Sequence, residues 1–267
     1  MATPAPRSCP LQPWVGVLLA ASVGTAAAGE YVEVPGGFFA GAIAADPAGS
    51  PARVDAFAMR IKPVSKGDFR RFVEEASEWR RDRIPQTFAN AGYLGDWQGA
   101  ATVGDRASES QPVVNVSWFA AAAYCESEGA RLPAWNEWEY VAASDENRRD
   151  ARGDPAWRAR ILGWRATSEP AVQAAAGVNA DVYGVRDMHG VIWEWVDDFN
   201  ALLVDADSRS GDDADKLKFC GAGAINLRDR ENYAVLMRIA LLSSLKASDS
   251  TSNLGFRCVR PLAKELE

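Results

Sequence analysis

Residues 113–144 read VVNVSWFAAAAYCESEGARLPAWNEWEYVAAS, and their punctuation sets out two short helices joined by extended chain. Ser117 offers its side-chain oxygen as a cap for the first run, and Gly129 supplies the residue on which such a helix stops. Beyond Pro133, "AWNEWEYVAAS" makes a second short helix that buries Trp138 and Tyr140. Upstream, "SKGDFRRFVEEA" puts Phe69, Phe72 and Val73 on one face of an amphipathic helix with Ser65 as its cap. "EYVEVPGGFFAGA" alternates and then turns at Gly36-Gly37, which reads as an opening strand and hairpin. In "WEW", Trp193 and Trp195 share one face of a strand while Glu194 points the other way. Residues 144–180 and 201–217 are polar and irregular, and are expected as long surface loops.

The chain has 267 residues, enough for one large domain or two small ones with ample core. It is 48% hydrophobic and 24% charged, which is ordinary for a soluble globular protein. A formal charge of −7 gives no basic face for nucleic acid, so no nucleic-acid partner is expected. The ten tryptophans supply large anchors of the kind that fill cores poor in regular structure.

Residues 1–28 read as a signal peptide. Arg7 is the only charge, "LQPWVGVLLAASVG" is short for a bilayer, and Ala26 and Ala28 are the small residues before a cut at Gly29. A retained membrane anchor is the alternative. Loss of Arg7 with the peptide takes the net charge from −7 to −8. Residues 29–267 are then one domain, periplasmic or secreted, in a compartment where disulfides survive and with no membrane contact after cleavage. Of four cysteines, Cys9 leaves with the peptide; Cys125, Cys220 and Cys258 allow one bridge and one leftover thiol. The acidic run "DADSRSGDDAD" (205–215) fails the spacing of an EF-hand loop and reads as a solvated loop.

Four stretches in order resemble the formylglycine-generating enzyme (sulfatase-modifying factor) superfamily: 113–144, "VYGVRDMHGVIWEWVDDF" (182–199), "CGAGA" (220–224) and "SNLGFRCVR" (252–260). The opening strands and first helix are similar too, so the resemblance spans essentially the whole of 29–267. It implies a compact α+β domain related to the C-type lectin fold, with long loops. It also implies a structural calcium ion, held by the carbonyls of His189, Gly190 and Ile192 and the side chain of Glu194, donors that suit a hard cation. Val191 departs from the Asn usual in that loop.

The same resemblance implies a disulfide between Cys125 and Cys258. The family's oxidases convert a client cysteine to formylglycine with two thiolates that bind Cu(I), a soft ion suited to sulfur. Counted back from "NLGFRC", those positions fall near Asp229 and Ala234, and no cysteine occurs from 221 to 257. No catalytic residue of that oxidase is therefore expected here, and copper is not expected as its cofactor. The single histidine, His189, cannot build the three-histidine iron site of the sulfoxide-synthase relatives. Cys220 remains as the odd thiol. It is either a buried small residue beside Gly221 and Gly223, or a thiol facing a groove formed by Cys220, Gly221, Gly223, Asp229, Ala234, Met237 and Arg238. "KFCGAGA", "NYAVLMR" and "ALLSSL" look like the accessory proteins that accompany periplasmic copper nitrite reductases in denitrifying bacteria. That likeness implies a periplasmic redox-enzyme client or its peptide as partner. An oxidoreductase that uses Cys220 with a metal the sequence does not advertise is the second reading.

Overall fold

The computed structural model describes residues 30–43, 50–104, 109–166, 180–202 and 233–262. Its strands are β1 (Tyr31–Val34), β2 (Gly37–Phe39), β3 (Ala52–Val54), β4 (Phe57–Arg60), β5 (Trp193–Glu194), β6 (Leu254–Gly255) and β7 (Val259–Pro261). The helices are α1 (Lys66–Glu75), α2 (Trp118–Ser127), α3 (Trp135–Ala142), α4 (Pro155–Ala166) and α5 (Tyr233–Ser243). Helix and sheet are thus mixed, as in an α+β domain. Strands β1, β4 and β7 form an antiparallel sheet in that order, with Tyr31 opposite Arg60 and Met59 opposite Val259. The chain's opening and closing segments therefore meet on either side of β4.

The opening hairpin is a correction. β1 and β2 do not pair with each other; β1 pairs with β4, while β2 pairs with β3 in a separate antiparallel ribbon. Gly36 marks the change of sheet, because a Cβ there would lie 2.6 Å from the Val54 carbonyl oxygen and 2.7 Å from the Ala56 nitrogen. Close backbone approach, not a tight turn, is what requires glycine at this position.

The three helices read from the sequence take their starts from their caps. Ser65 accepts from the Asp68 amide at 3.1 Å and Asp68 reaches back toward the Ser65 amide, a reciprocal cap. Ser117 accepts from the Ala120 amide at 3.2 Å, and Gly129 ends the segment at φ +67. α3 begins with Glu137 accepting from the Ala134 amide at 2.8 Å. The 144–180 segment differs from the expected loop, since α4 occupies its middle. Asp154 accepts from the Ala156 amide at 2.8 Å and Pro155 takes the first helical position, where its missing N–H costs nothing.

One aromatic core joins these elements. Phe69 and Phe72 of α1, Tyr124 of α2 and Phe256 pack with ring centroids 5.4 to 6.0 Å apart. Beneath them Cys125 of α2 is disulfide-bonded to Cys258, with Cα atoms 5.5 Å apart, closing a separation of 133 residues. Among the described residues no helix is long and apolar enough to cross a membrane.

Candidate functional site

Glu194 is fully buried on β5, whose only pairing among the described residues is a short parallel one that sets Trp193 beside Leu254 and Glu194 beside Gly255. This register brings Arg257, two residues beyond β6, to the same carboxylate. Arg257 Nη2 donates to Glu194 Oε1 at 2.7 Å and Nε to Oε2 at 2.8 Å, while Trp138 Nε1 of α3 donates to Oε2 at 2.8 Å. The remaining guanidinium edge meets the carbonyls of Arg60, Ile61, Arg186 and Asp187 at 3.0 to 3.4 Å. Both side chains are wholly shielded, so their desolvation is offset only because nearly every polar atom has a partner.

That arrangement leaves little of Glu194 for a calcium ion. The carboxylate's charge is matched by a guanidinium bound at both oxygens, so a cation at the loop would share Glu194 with Arg257 and reach it through the remaining lone pair of Oε1. His189, Gly190 and Ile192 do lie in the loop that leads to β5, with Gly190 at φ +89. The His189 ring is turned to the core, its Nε2 donating to the Ala142 carbonyl at 2.7 Å between the edges of Trp138 and Trp157. Among the described residues no three His, Cys, Asp or Glu side chains gather as a metal site.

Of the seven groove residues, Cys220, Gly221, Gly223 and Asp229 lie outside the described residues. The other three sit on α5 and part company around its axis. Arg238 is buried, with its guanidinium carbon 3.5 Å from the Trp138 ring centroid and Nη2 donating to the Glu194 carbonyl. Met237 is 47% exposed. Ala234 is only 2% exposed and belongs to a small apolar cluster with Ala151, Trp157 and Ile161. α4 therefore lies over the position where the count places the family's second thiolate. The sequence carried a signal for α4, the Asp154-Pro155 pair, and none for its resting place on α5.

Beside this cluster is a cavity of about 50 Å³ lined by Trp157, Ile161, Asp181, Asp187 and His189, among others. Asp181 accepts from the amides of Tyr183 and Val185 at 2.8 and 3.0 Å. Its burial nevertheless raises its carboxyl pKa above the usual range. Asp198, which accepts from the Trp135 amide at 2.8 Å, is raised for the same reason. A larger cleft of about 500 Å³ lies on another face, against Arg60, Lys62 and Arg186. Arg60 is committed there to Asp68 and Glu128, each at 2.6 Å.

Comparison with known proteins bears on these observations. The model of the sulfatase-modifying factor enzyme 1-like domain (FGE-sulfatase) matches residues 19–262, starting ten residues before Gly29. The formylglycine-generating enzyme of Streptomyces coelicolor is 34% identical over 168 residues, 56% of this chain and 52% of that protein. The inactive C-alpha-formylglycine-generating enzyme 2 of Mus musculus is 28% identical over 281 residues, 88% of this chain and 87% of that protein. The hercynine oxygenase of Mycobacterium tuberculosis is 34% identical over 160 residues, 53% of this chain and 37% of that protein. The chain thus spans about half the length of the Streptomyces enzyme and nearly the whole of the inactive mouse protein. A family match over residues 19–262 places this chain in the FGE-sulfatase family, the sulfatase-modifying factor enzyme 1-like domains.

Proposed function

We infer that this protein is a member of its family that does not act as a formylglycine-generating oxidase. In this reading it is exported, loses residues 1–28, and serves as a binding or maturation module on a C-type-lectin-like frame. The observation that carries it is the chemistry at two positions: Asp229 and Ala234 offer no sulfur, and residues 221–257 contain no cysteine. A carboxylate and a methyl group do not hold Cu(I) as two thiolates do. The burial of Ala234 beneath Trp157 and Ile161 supports the same conclusion, since a reacting centre must be open to its client. So does the existence of a relative of matching length whose name declares it inactive.

The partner is a periplasmic redox enzyme or a peptide of it, with copper nitrite reductase of denitrification as the specific candidate. The experiment is capture from periplasmic extract by the tagged protein, followed by reciprocal capture with purified copper nitrite reductase. Co-purification in both directions is expected. Recovery of abundant bystanders alone, with no binding to the purified reductase, overturns the partner. The oxidase question is separate and is decided by turnover of a cysteine peptide.

A further inference from the structure

Three side chains of α1 and the neighbouring loops form an arrangement that the family's chemistry does not use. Lys66 opens α1 and is 8% exposed; Asn115 is 9% exposed. One carboxylate lies between them. Lys66 Nζ is 2.7 Å from Asp96 Oδ2 and donates to Gln111 Oε1 at 3.3 Å, while Asn115 Nδ2 donates to Asp96 Oδ1 at 2.9 Å. The backbone on each side is pinned. The Lys66 amide donates to the Gln111 carbonyl at 2.8 Å, the Asn115 amide to Thr251 at 2.9 Å, and the Leu94 amide to the Asn115 carbonyl at 2.8 Å. Asn115 also holds a left-handed φ of +56, a conformation that persists only when its surroundings fix it.

A primary amine, a carboxamide and a carboxylate that hydrogen-bonds to both, in a shielded and fixed setting, are the parts of an amide exchange. We propose that Lys66 and Asn115 join in an intramolecular amide bond, with Asp96 carrying the proton. Asp96 takes a proton from the Lys66 ammonium and frees the Nζ lone pair. Nζ attacks Cγ of Asn115, a new Nζ–Cγ bond forms, and the Cγ–Nδ2 bond breaks. The proton on Asp96 and one from Nζ pass to Nδ2, which leaves as ammonium. Lysine ammonium and carboxamide become a secondary amide and an ammonium ion; nothing is oxidised or reduced and no co-reactant enters. Holding the reacting groups in place substitutes for the high concentration such an exchange needs in solution. The Asp96 side chain, 28% exposed, gives the released ammonium a route to solvent. The bond ties the start of α1 to the segment before α2, a link independent of the Cys125–Cys258 bridge.

The test is peptide mapping of the purified, reduced and denatured full chain. The expected result is a branched peptide lighter by one ammonia than its two parts, with fragmentation placing the joint at Asn115 and tryptic cleavage after Lys66 lost; a joint at Gln111, the other carboxamide beside Lys66, overturns the proposal. Lys66→Arg, which keeps the charge at α1, and Asp96→Ala are both expected to give two separate peptides of full mass. Circular dichroism establishes that each variant is folded. Separate, unmodified peptides from the wild-type chain overturn the proposal. A branched peptide lighter by one water also overturns it, because the bond then lies at Asp96.

Discussion

Glu194 shows how a residue's partner in space stays hidden when it lies far away in sequence. Alternation in "WEW" set it on the strand face opposite Trp193 and Trp195, but nothing adjacent in sequence announces Arg257, which arrives from 63 residues away. Breaking this pair strands a charge in the core. Arg257→Met is expected to cost about 3–5 kcal/mol in urea unfolding, the range for removing one partner of a buried pair. Because the carboxylate is already neutralised, removing or adding calcium is expected to leave the melting temperature unchanged; a rise of several degrees with calcium would show that Glu194 is shared between Arg257 and the ion. Ala234 supports a second residue-scale prediction. Ala234→Cys is expected to fold and to bring a thiol that reacts slowly with a disulfide reagent until the protein is unfolded. Prompt labelling would mean that α4 does not cover the site.

Helix α4 is where sequence and structure diverge most at the scale of elements. Its polar surroundings hid it, although Asp154-Pro155 is a start signal with a physical basis. By contrast Ser65, Ser117 and Gly129 were legible because a cap is a local matter of one side chain and the next few amides. Sheet pairing was not local: β1 chose β4 over β2 for reasons of long-range packing that alternation cannot reveal. α4's own start is tied down by charge. Asp145 and Asp154 both hold carboxyl pKa values below the ordinary 3.8, chiefly through hydrogen bonds from Arg148. A carboxyl lowered on folding stabilises above its unfolded value and loses that contribution as pH falls through the folded one. Hydrogen-exchange protection of residues 155–166 is therefore expected to fall as pH drops below about 3.8. Arg148→Met should weaken that pH dependence, leaving the part carried by Glu146 with Arg160. Asp181, raised by burial, works in the opposite sense: its contribution is present at low pH and fades as pH rises through its folded value. Protection of 155–166 that is flat with acidification in the wild type would show that the Arg148 pairs do not hold the helix.

For the whole molecule, the order of motifs along the chain carried the family, and the absence of cysteine from 221 to 257 is read directly from the sequence. The sequence shows no sulfur at Ala234 but could not show the helix that covers it, because α4 and α5 meet through Trp157, Ile161 and Ala234, 73 to 77 residues apart. The disulfide between α2 and the closing segment acts at this scale as well. Its 133-residue loop restricts the unfolded chain by roughly 4–5 kcal/mol, so Cys125→Ala with Cys258→Ala should lower urea stability by about that amount. The most direct measurement is to incubate the purified protein with Cu(I), oxygen and a cysteine-containing sulfatase peptide, and to follow peptide mass and oxygen uptake. The prediction is an unchanged cysteine and no oxygen uptake above the copper blank. Conversion of that cysteine to an aldehyde would contradict the account.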